Sequence, residues 1–189
     1  MNPGDLKKAF EPYFAEMEIC RNGKAYWALL HVTVCLPDIC AALESANGEA
    51  AGKLYIAWCD KYLPKPILSA KERYSMRCTI LHQGRSSLPQ PGRYTRFVFG
   101  QPSPGGDIDH NRIQGTVLHL DVGELAIEMK NGVEKWLIQI EGNPKSAISK
   151  NVDNNLQSLV RVTQENIVPT GQPTTSKLLI HSTYKTSSS

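Results

Sequence analysis

Apolar residues recur every three or four positions along the first 84 residues, in segments separated by turn residues. This spacing places apolar side chains on one face of a helix. Turn sequences at 21–23 and 47–52 and a proline-rich stretch at 64–66 divide the region into four segments. The pattern therefore predicts four helices joined by short connections. They span about residues 4–20, 25–45, 53–63 and 69–83.

Two of these helices contain residues that should interrupt or end a helix. Pro37 lies inside the second segment and should kink that helix or split it in two. Ser69 is a good N-cap for the fourth helix, and Gly84 stands where a left-handed C-cap is expected. Helices that follow one another through short connections are typical of an up-and-down four-helix bundle.

The pattern changes after residue 85. The stretches 93–99 and 116–120 have strand character, and a loop rich in Gly, Pro and Asp separates them. Residues 121–141 admit two interpretations. The "KNG" at 130–132 is a candidate hairpin turn, whereas apolar residues at helical spacing and a capping Asp121 favour a helix, which we prefer.

The fold class expected from these patterns is mainly α. A four-helix up-and-down bundle at 1–90 would precede an α+β extension, made of a β-hairpin and a helix, at 91–168. The extension would pack on the bundle. A Thr- and Ser-rich tail at 169–189 is expected to be flexible.

Positive charge is concentrated in one window of the chain. Residues 61–96 hold eight Lys or Arg residues and one acid, Glu72, a net charge of +7, whereas the whole chain carries +3. A basic cluster of this kind is the electrostatic footprint of a site for a polyanion. The alternative is a solvated basic surface with no ligand.

Cysteine content and hydropathy bear on compartment and cofactors. The five cysteines are odd in number and lack the paired spacing of a zinc site, so buried, reduced thiols of a cytoplasmic protein are expected. No apolar stretch approaches the ~20 residues of a membrane span, so no membrane association is expected. No metal site or other cofactor is predicted.

The fourth predicted helix carries two polar residues within an apolar run, Arg77 and His82. On a helical wheel, Tyr74, Cys78 and Leu81 make one apolar stripe, and a second apolar side lies roughly opposite. A helix that is apolar on two sides is either central in its bundle or meets another chain. Positions five apart are about 140° apart, so Arg77 and His82 do not converge on a straight helix.

An arginine and a histidine separated by four residues, on the last helix of a four-helix bundle, resemble the RxxxxH signature of the HEPN superfamily. The wider phrase "ERYSMRCTILHQGRSS" at 72–87 also resembles uncharacterised bacterial proteins with this kind of helix. The resemblance covers roughly residues 1–90. It implies a helical bundle that forms a homodimer through the motif helix.

The resemblance also implies metal-independent RNA cleavage of the toxin or defence type, with Arg77 and His82 as the catalytic pair. The 2′-hydroxyl of RNA would be the nucleophile, histidine would transfer protons near neutral pH, and arginine would bind the phosphate. An antitoxin or another protein is an expected partner. Five further basic residues are expected to hold the RNA backbone: Lys71, Arg73, Arg85, Arg93 and Arg96.

A second hypothesis is a binding module without catalysis, which docks a partner through the fourth helix. It is favoured by Cys78, since many catalytic HEPN proteins have a polar residue directly after the arginine. A purely structural role for the two motif residues also stays open. Arg77 would then pair with a carboxylate such as Glu44 or Asp60, and His82 would interact favourably with the negative end of the helix dipole.

Overall fold

The computed structural model describes residues 4–65, 67–88, 92–101 and 109–159 of the 189-residue chain. Within these ranges the protein is mainly helical and contains a small three-stranded sheet. The helices are α1 (Asp5–Asn22), α2 (Tyr26–Glu44), α3 (Gly52–Tyr62), α4 (Ala70–Gln83), α5 (Val122–Gly142) and α6 (Ala147–Asn155). The strands are β1 (Arg96–Gly100), β2 (Arg112–Gln114) and β3 (Val117–Asp121). The predicted tail at 169–189 lies outside the described residues.

The four helices predicted over the first 84 residues are all present. Helix α2 runs through Pro37 without interruption, so the predicted split of this segment is wrong. Pro37 is itself buried. Proline cannot donate a backbone hydrogen bond, and burial of the apolar surface of α2 compensates for this loss.

The predicted boundaries of α4 are confirmed. The Ser69 hydroxyl accepts a hydrogen bond from the Glu72 backbone N–H at 3.3 Å, and the Ser69 backbone N–H donates to the Glu72 carboxylate at 2.8 Å. This reciprocal capping box satisfies two N–H groups that a helix start leaves free. Gly84 ends the helix with φ of +59°, a left-handed conformation that glycine adopts without a steric penalty.

Helix α2 lies at the centre of the helical assembly and packs against all five other helices. By length and composition it is the one helix in the described ranges that is apolar enough to cross a membrane, so the expectation that no apolar stretch approaches a membrane span is wrong for this segment. Core helices of soluble proteins have the same composition. Nine α2 residues are buried: Leu29, Leu30, Thr33, Val34, Leu36, Pro37, Cys40, Ala41 and Leu43.

Residues 122–142 form a helix, α5, which confirms the preferred prediction and not the hairpin. Asp121 caps this helix by accepting a hydrogen bond from the Glu124 N–H at 2.9 Å. Helix α5 packs against α1, α2 and α3. The indole N–H of Trp136 donates to the Glu44 carboxylate at 2.8 Å, and the Trp136 ring lies 5.3 Å from that of Phe10.

Met1–Gln157 is one compact unit, and a functional division at residue 90 stays a prediction.

The sheet differs from the predicted hairpin. Both predicted strands exist, as β1 and β3, but they pair in parallel. The hairpin partner of β3 is β2, a short strand within the predicted loop. Sixteen residues, 101–116, separate β1 from β3 in sequence, and β2 within them runs antiparallel to β3. Gly115, with φ of +60°, forms the tight turn between β2 and β3.

Helix α4 presents one apolar side to the core and the other to the surface. Met76 and Ile80 are buried, whereas Tyr74, Cys78 and Leu81 are only half-buried. The outer apolar face of α4 is partly covered, because the Tyr74 ring lies 5.5 Å from that of Tyr55 on α3. A contact of this face with another chain stays a prediction.

The cysteines are free thiols, but only Cys40 and Cys59 are buried. Burial raises the pKa of Cys59 to about 12, so this thiol is neutral at pH 7. Cys20, Cys35 and Cys78 are half-buried, so the expectation of buried thiols holds for two of the five.

A buried ion pair joins α4 to α5. The Arg73 guanidinium, 2% exposed, donates to the Glu128 carboxylate and, at 3.0 Å, to the Pro64 carbonyl. We expect Arg73→Met to lower the free energy of unfolding by about 3 kcal/mol, because Glu128, only 16% exposed, would lose its arginine partner. Urea denaturation measures this loss. Lys71→Met removes an exposed charge two positions earlier and should change the free energy by less than about 0.5 kcal/mol.

Candidate functional site

Arg77 and His82 lie together at the C-terminal end of α4. One terminal nitrogen of the guanidinium, Nη1, is 2.7 Å from the His82 Nε2 atom. This contact differs from the divergence expected on an ideal wheel, because the long arginine side chain reaches along the helix to the last turn. The sequence signature therefore corresponds to a physical pair of side chains.

The pair has a third member, Asp38 of α2. The Asp38 carboxylate accepts a hydrogen bond from the Arg77 Nε at 2.6 Å. The two side chains are only 17% and 19% exposed, so solvent screens their attraction less than it would on an open surface. Burial lowers the pKa of Arg77, but the hydrogen bond and charge of Asp38 outweigh it and raise the pKa above its usual value.

The contact with Arg77 fixes the tautomer of His82. A guanidinium has only donors, so the Nε2 of His82 must be the acceptor. The ring proton of the neutral histidine then lies on Nδ1. His82 is otherwise exposed to solvent. The arrangement directs Nε2 of the imidazole at an arginine whose Nε is fixed by a carboxylate.

This triad of Asp38, Arg77 and His82 contains a permanent cation and a group that exchanges protons near neutral pH. The second terminal nitrogen of Arg77, Nη2, has no hydrogen bond within the described part of the chain, and it remains able to bind an oxyanion. No group of three or more His, Cys, Asp or Glu side chains in the described ranges is arranged to hold a metal ion.

Three of the basic residues in the +7 window are used inside the fold. Arg77 pairs with Asp38, and Arg73 with Glu128. The guanidinium of Arg73 is buried, so the structure does not support its expected role in holding RNA. Its charge instead joins two helices.

Arg93 is also paired, although its side chain is half exposed. Its Nε and Nη2 donate to the two Glu72 carboxylate oxygens at 3.2 and 2.9 Å, and Nη2 also donates to the Ile67 carbonyl. Burial raises the pKa of Glu72, but the bonds from Arg93 and Ser69 outweigh it and hold the pKa below its usual value. Arg93 therefore reinforces the start of α4.

Lys71, Arg85 and Arg96 are exposed, and their charges have no ion-pair partner among the described residues. Lys71 lies in the first turn of α4, about 20 Å along the helix from Arg85. Arg85 and Arg96 are close together, because Ser87 bridges to Arg96 and the Phe97 N–H donates to the Ser86 carbonyl. The eight basic residues of the window thus fall into four groups: four paired cations (Lys65, Arg73, Arg77 and Arg93), Lys61 over the ring of Tyr62, the exposed Lys71, and the neighbouring Arg85 and Arg96.

Asp38 was missed at the sequence level, where Glu44 and Asp60 were the proposed partners of Arg77. Glu44 instead accepts from Trp136, and Asp60 pairs with Lys65 at 3.0 Å. A signal was nevertheless present. Asp38 is the only acidic residue of the apolar segment before Glu44, and a charge in such a segment needs a partner.

Comparisons of the chain with protein-family models, with curated proteins and with solved structures give no match.

The tautomer of His82 gives a direct test of the triad. We expect the ¹⁵N shifts of the neutral ring to show an unprotonated Nε2, because Arg77 donates to it. Arg77→Met should remove this preference and allow the Nε2–H form that free histidine also populates. The matched control is His31, whose Nδ1 contacts the Trp27 carbonyl at 2.7 Å and whose shifts should not change. An Nε2–H ring in the unsubstituted protein would contradict the triad.

Proposed function

We propose that the protein is a metal-independent endoribonuclease of the HEPN type, acting as a homodimer. The observation that carries the proposal is the 2.7 Å contact between Arg77 and His82, held in place by Asp38. The resemblance of the motif supports a HEPN-like bundle for the helical part of the chain. A role in a toxin or defence system, an antitoxin partner and a cytoplasmic location rest on that resemblance alone and stay predictions.

The chemistry needs only the residues of the triad and the RNA itself. The free Nη2 of Arg77 donates to a non-bridging oxygen of the scissile phosphate and stabilises the negative charge that develops there. As the phosphate binds Arg77, the Nε2 of His82 is released and accepts the proton of the adjacent 2′-hydroxyl.

The bond changes balance without a metal ion. The 2′-oxygen forms a bond to phosphorus, the bond from phosphorus to the 5′-oxygen breaks, and that oxygen takes a proton from solvent. His82 afterwards returns its proton to solvent. The products are a 2′,3′-cyclic phosphate and a 5′-hydroxyl end.

Asp38 has a positioning role in this proposal. It fixes Arg77 through Nε, and Nη2, which has no hydrogen bond among the described residues, stays available to the phosphate. The same carboxylate offsets part of the arginine charge. This offset favours the second candidate function, a binding module in which the triad stabilises α4 and its outer face docks a partner.

The outer face of α4 supports a homodimer in either case. Tyr74, Cys78 and Leu81 lie half-exposed on the same helix as the triad. Two copies that meet through this face would bring their Arg77–His82 pairs to one surface. Burying the three side chains against a second copy also gives the free energy that a contact between chains requires.

We expect Leu81→Asp to shift the protein from dimer to monomer, because it would place an unpaired charge in the contact. Sedimentation velocity over a range of concentrations measures the shift. The control is Ile138→Asp on α5, where the isoleucine is 72% exposed and the same change should leave the dimer intact. An unsubstituted protein that is monomeric at all concentrations would exclude this contact.

We expect the protein to cleave mixed single-stranded RNA in the presence of EDTA and to leave cyclic phosphate ends. His82→Ala should lower the rate about 100-fold or more, the range for a lost general base. Arg77→Lys should also lower it strongly, because lysine keeps the charge but loses the planar fork. End-group analysis of the products, with circular dichroism of each variant, makes the measurement.

Arg112→Ala is the matched control for Arg77. This exposed arginine also pairs with an aspartate, Asp109, but it lies on β2. Its loss should leave the cleavage rate unchanged. If the folded, unsubstituted protein cleaves no RNA, the binding module becomes the better account; equal activity in all variants would place the activity elsewhere.

A further inference from the structure

A cleft of about 400 Å³ lies beside the triad, between the start of α2, the end of α4 and strand β1. This volume is within the usual range for small-ligand sites. Its walls combine aromatic side chains, Trp27 among them, with the guanidinium groups of Arg85 and Arg96. None of the described residues that line it is acidic.

Trp27 is unusual among the three tryptophans of the chain. Its side chain is 70% exposed, whereas Trp58 and Trp136 are buried. Helical spacing alone groups Trp27 with Leu30 and Val34, which are buried. Trp27 instead lines the cleft one turn before Leu30, where its apolar ring is not buried in the core. An exposed indole of this kind offers a flat surface for stacking.

Arg85 and Arg96 also line the cleft. The Ser87–Arg96 bridge brings Arg85, two residues before Ser87, near Arg96, although the two arginines are eleven positions apart in sequence. Two adjacent cations repel each other, and neither has an acidic partner in the described part of the chain. An anion that contacts both would relieve this repulsion.

We infer that this cleft is a subsite for single-stranded RNA, where an unpaired base stacks on Trp27 and the neighbouring phosphate binds Arg85 and Arg96. The identification of RNA rests on the proposed function. The pairing of an aromatic platform with cations, with no acid in the walls, matches the chemistry that recognises unpaired nucleotides. A purely apolar peptide would leave both cations unpaired.

The position of the cleft relates it to the triad. Gly84 lines the cleft and is two residues from His82, so the two backbones are at most about 7 Å apart. A strand anchored in the cleft therefore passes the end of α4 where His82 lies. The subsite would set which bond of a bound strand reaches the triad, and it would favour unpaired RNA over a duplex.

Binding can be measured apart from cleavage by using a full-length Arg77→Ala/His82→Ala protein. We expect a short oligouridylate to quench the fluorescence of Trp27, the exposed tryptophan. Adding Trp27→Ala should abolish the quenching and weaken the binding of a labelled oligouridylate about 10-fold, as for the loss of one stacked base. Trp27→Phe keeps an aromatic ring and should restore part of the affinity.

Adding Arg85→Ala and Arg96→Ala should weaken binding and lower its dependence on salt by about one unit for each lost phosphate contact. Lys150→Ala removes the same charge on α6, which contacts the opposite end of α2 from the cleft, and should bind nearly as tightly as its parent. Oligouridylate binding that none of the cleft variants weakens, or no binding at all, would overturn the subsite. A duplex that binds as tightly as the single strand and quenches as much fluorescence would also overturn the subsite.

The two proposals fail in different ways. Trp27-dependent binding without cleavage by the unsubstituted protein would keep the subsite and overturn the ribonuclease. Cleavage that Trp27→Ala and Arg85→Ala leave unchanged in rate and in cut positions would keep the ribonuclease and overturn the subsite.

Discussion

The structure depends on the burial of helix α2. Its side chains are apolar on nearly every side, and the other five helices cover them. Because much of α2 is buried, charged groups on it need local partners. Asp38 pairs with Arg77, and Glu44 accepts hydrogen bonds from Trp136 and Tyr62. These two carboxylates therefore set several of the polar contacts between α2 and its neighbours.

The candidate site follows from the same constraint. The carboxylate of Asp38 draws Arg77 toward α2 and fixes one edge of its guanidinium, while the other edge points to His82 and solvent. A contact that stabilises the packing of α4 on α2 therefore also positions the two motif residues. Structural and functional roles of Arg77 are compatible, since the ion pair uses Nε and leaves Nη2 open.

Local elements were predictable because their signals are local. Helix spacing, the Ser69 and Asp121 caps and the Gly84 terminus act over a few residues, and each is present in the structure. Partners across the chain were not predictable. The parallel pairing of β1 with β3, the Asp38–Arg77 contact and the exposure of Trp27 depend on how distant elements meet. Spacing on a wheel cannot tell a core face from a free one, as both Trp27 and the outer face of α4 show.

The hydrogen bond from Trp136 to Glu44 joins residues 92 positions apart in the chain. During synthesis, α1 to α4 leave the ribosome well before α5, which covers a large part of α2. For that interval the most apolar helix of the protein has an uncovered side. The nascent chain is then at its greatest risk of aggregation and is a good substrate for a chaperone, until α5 arrives and closes the core.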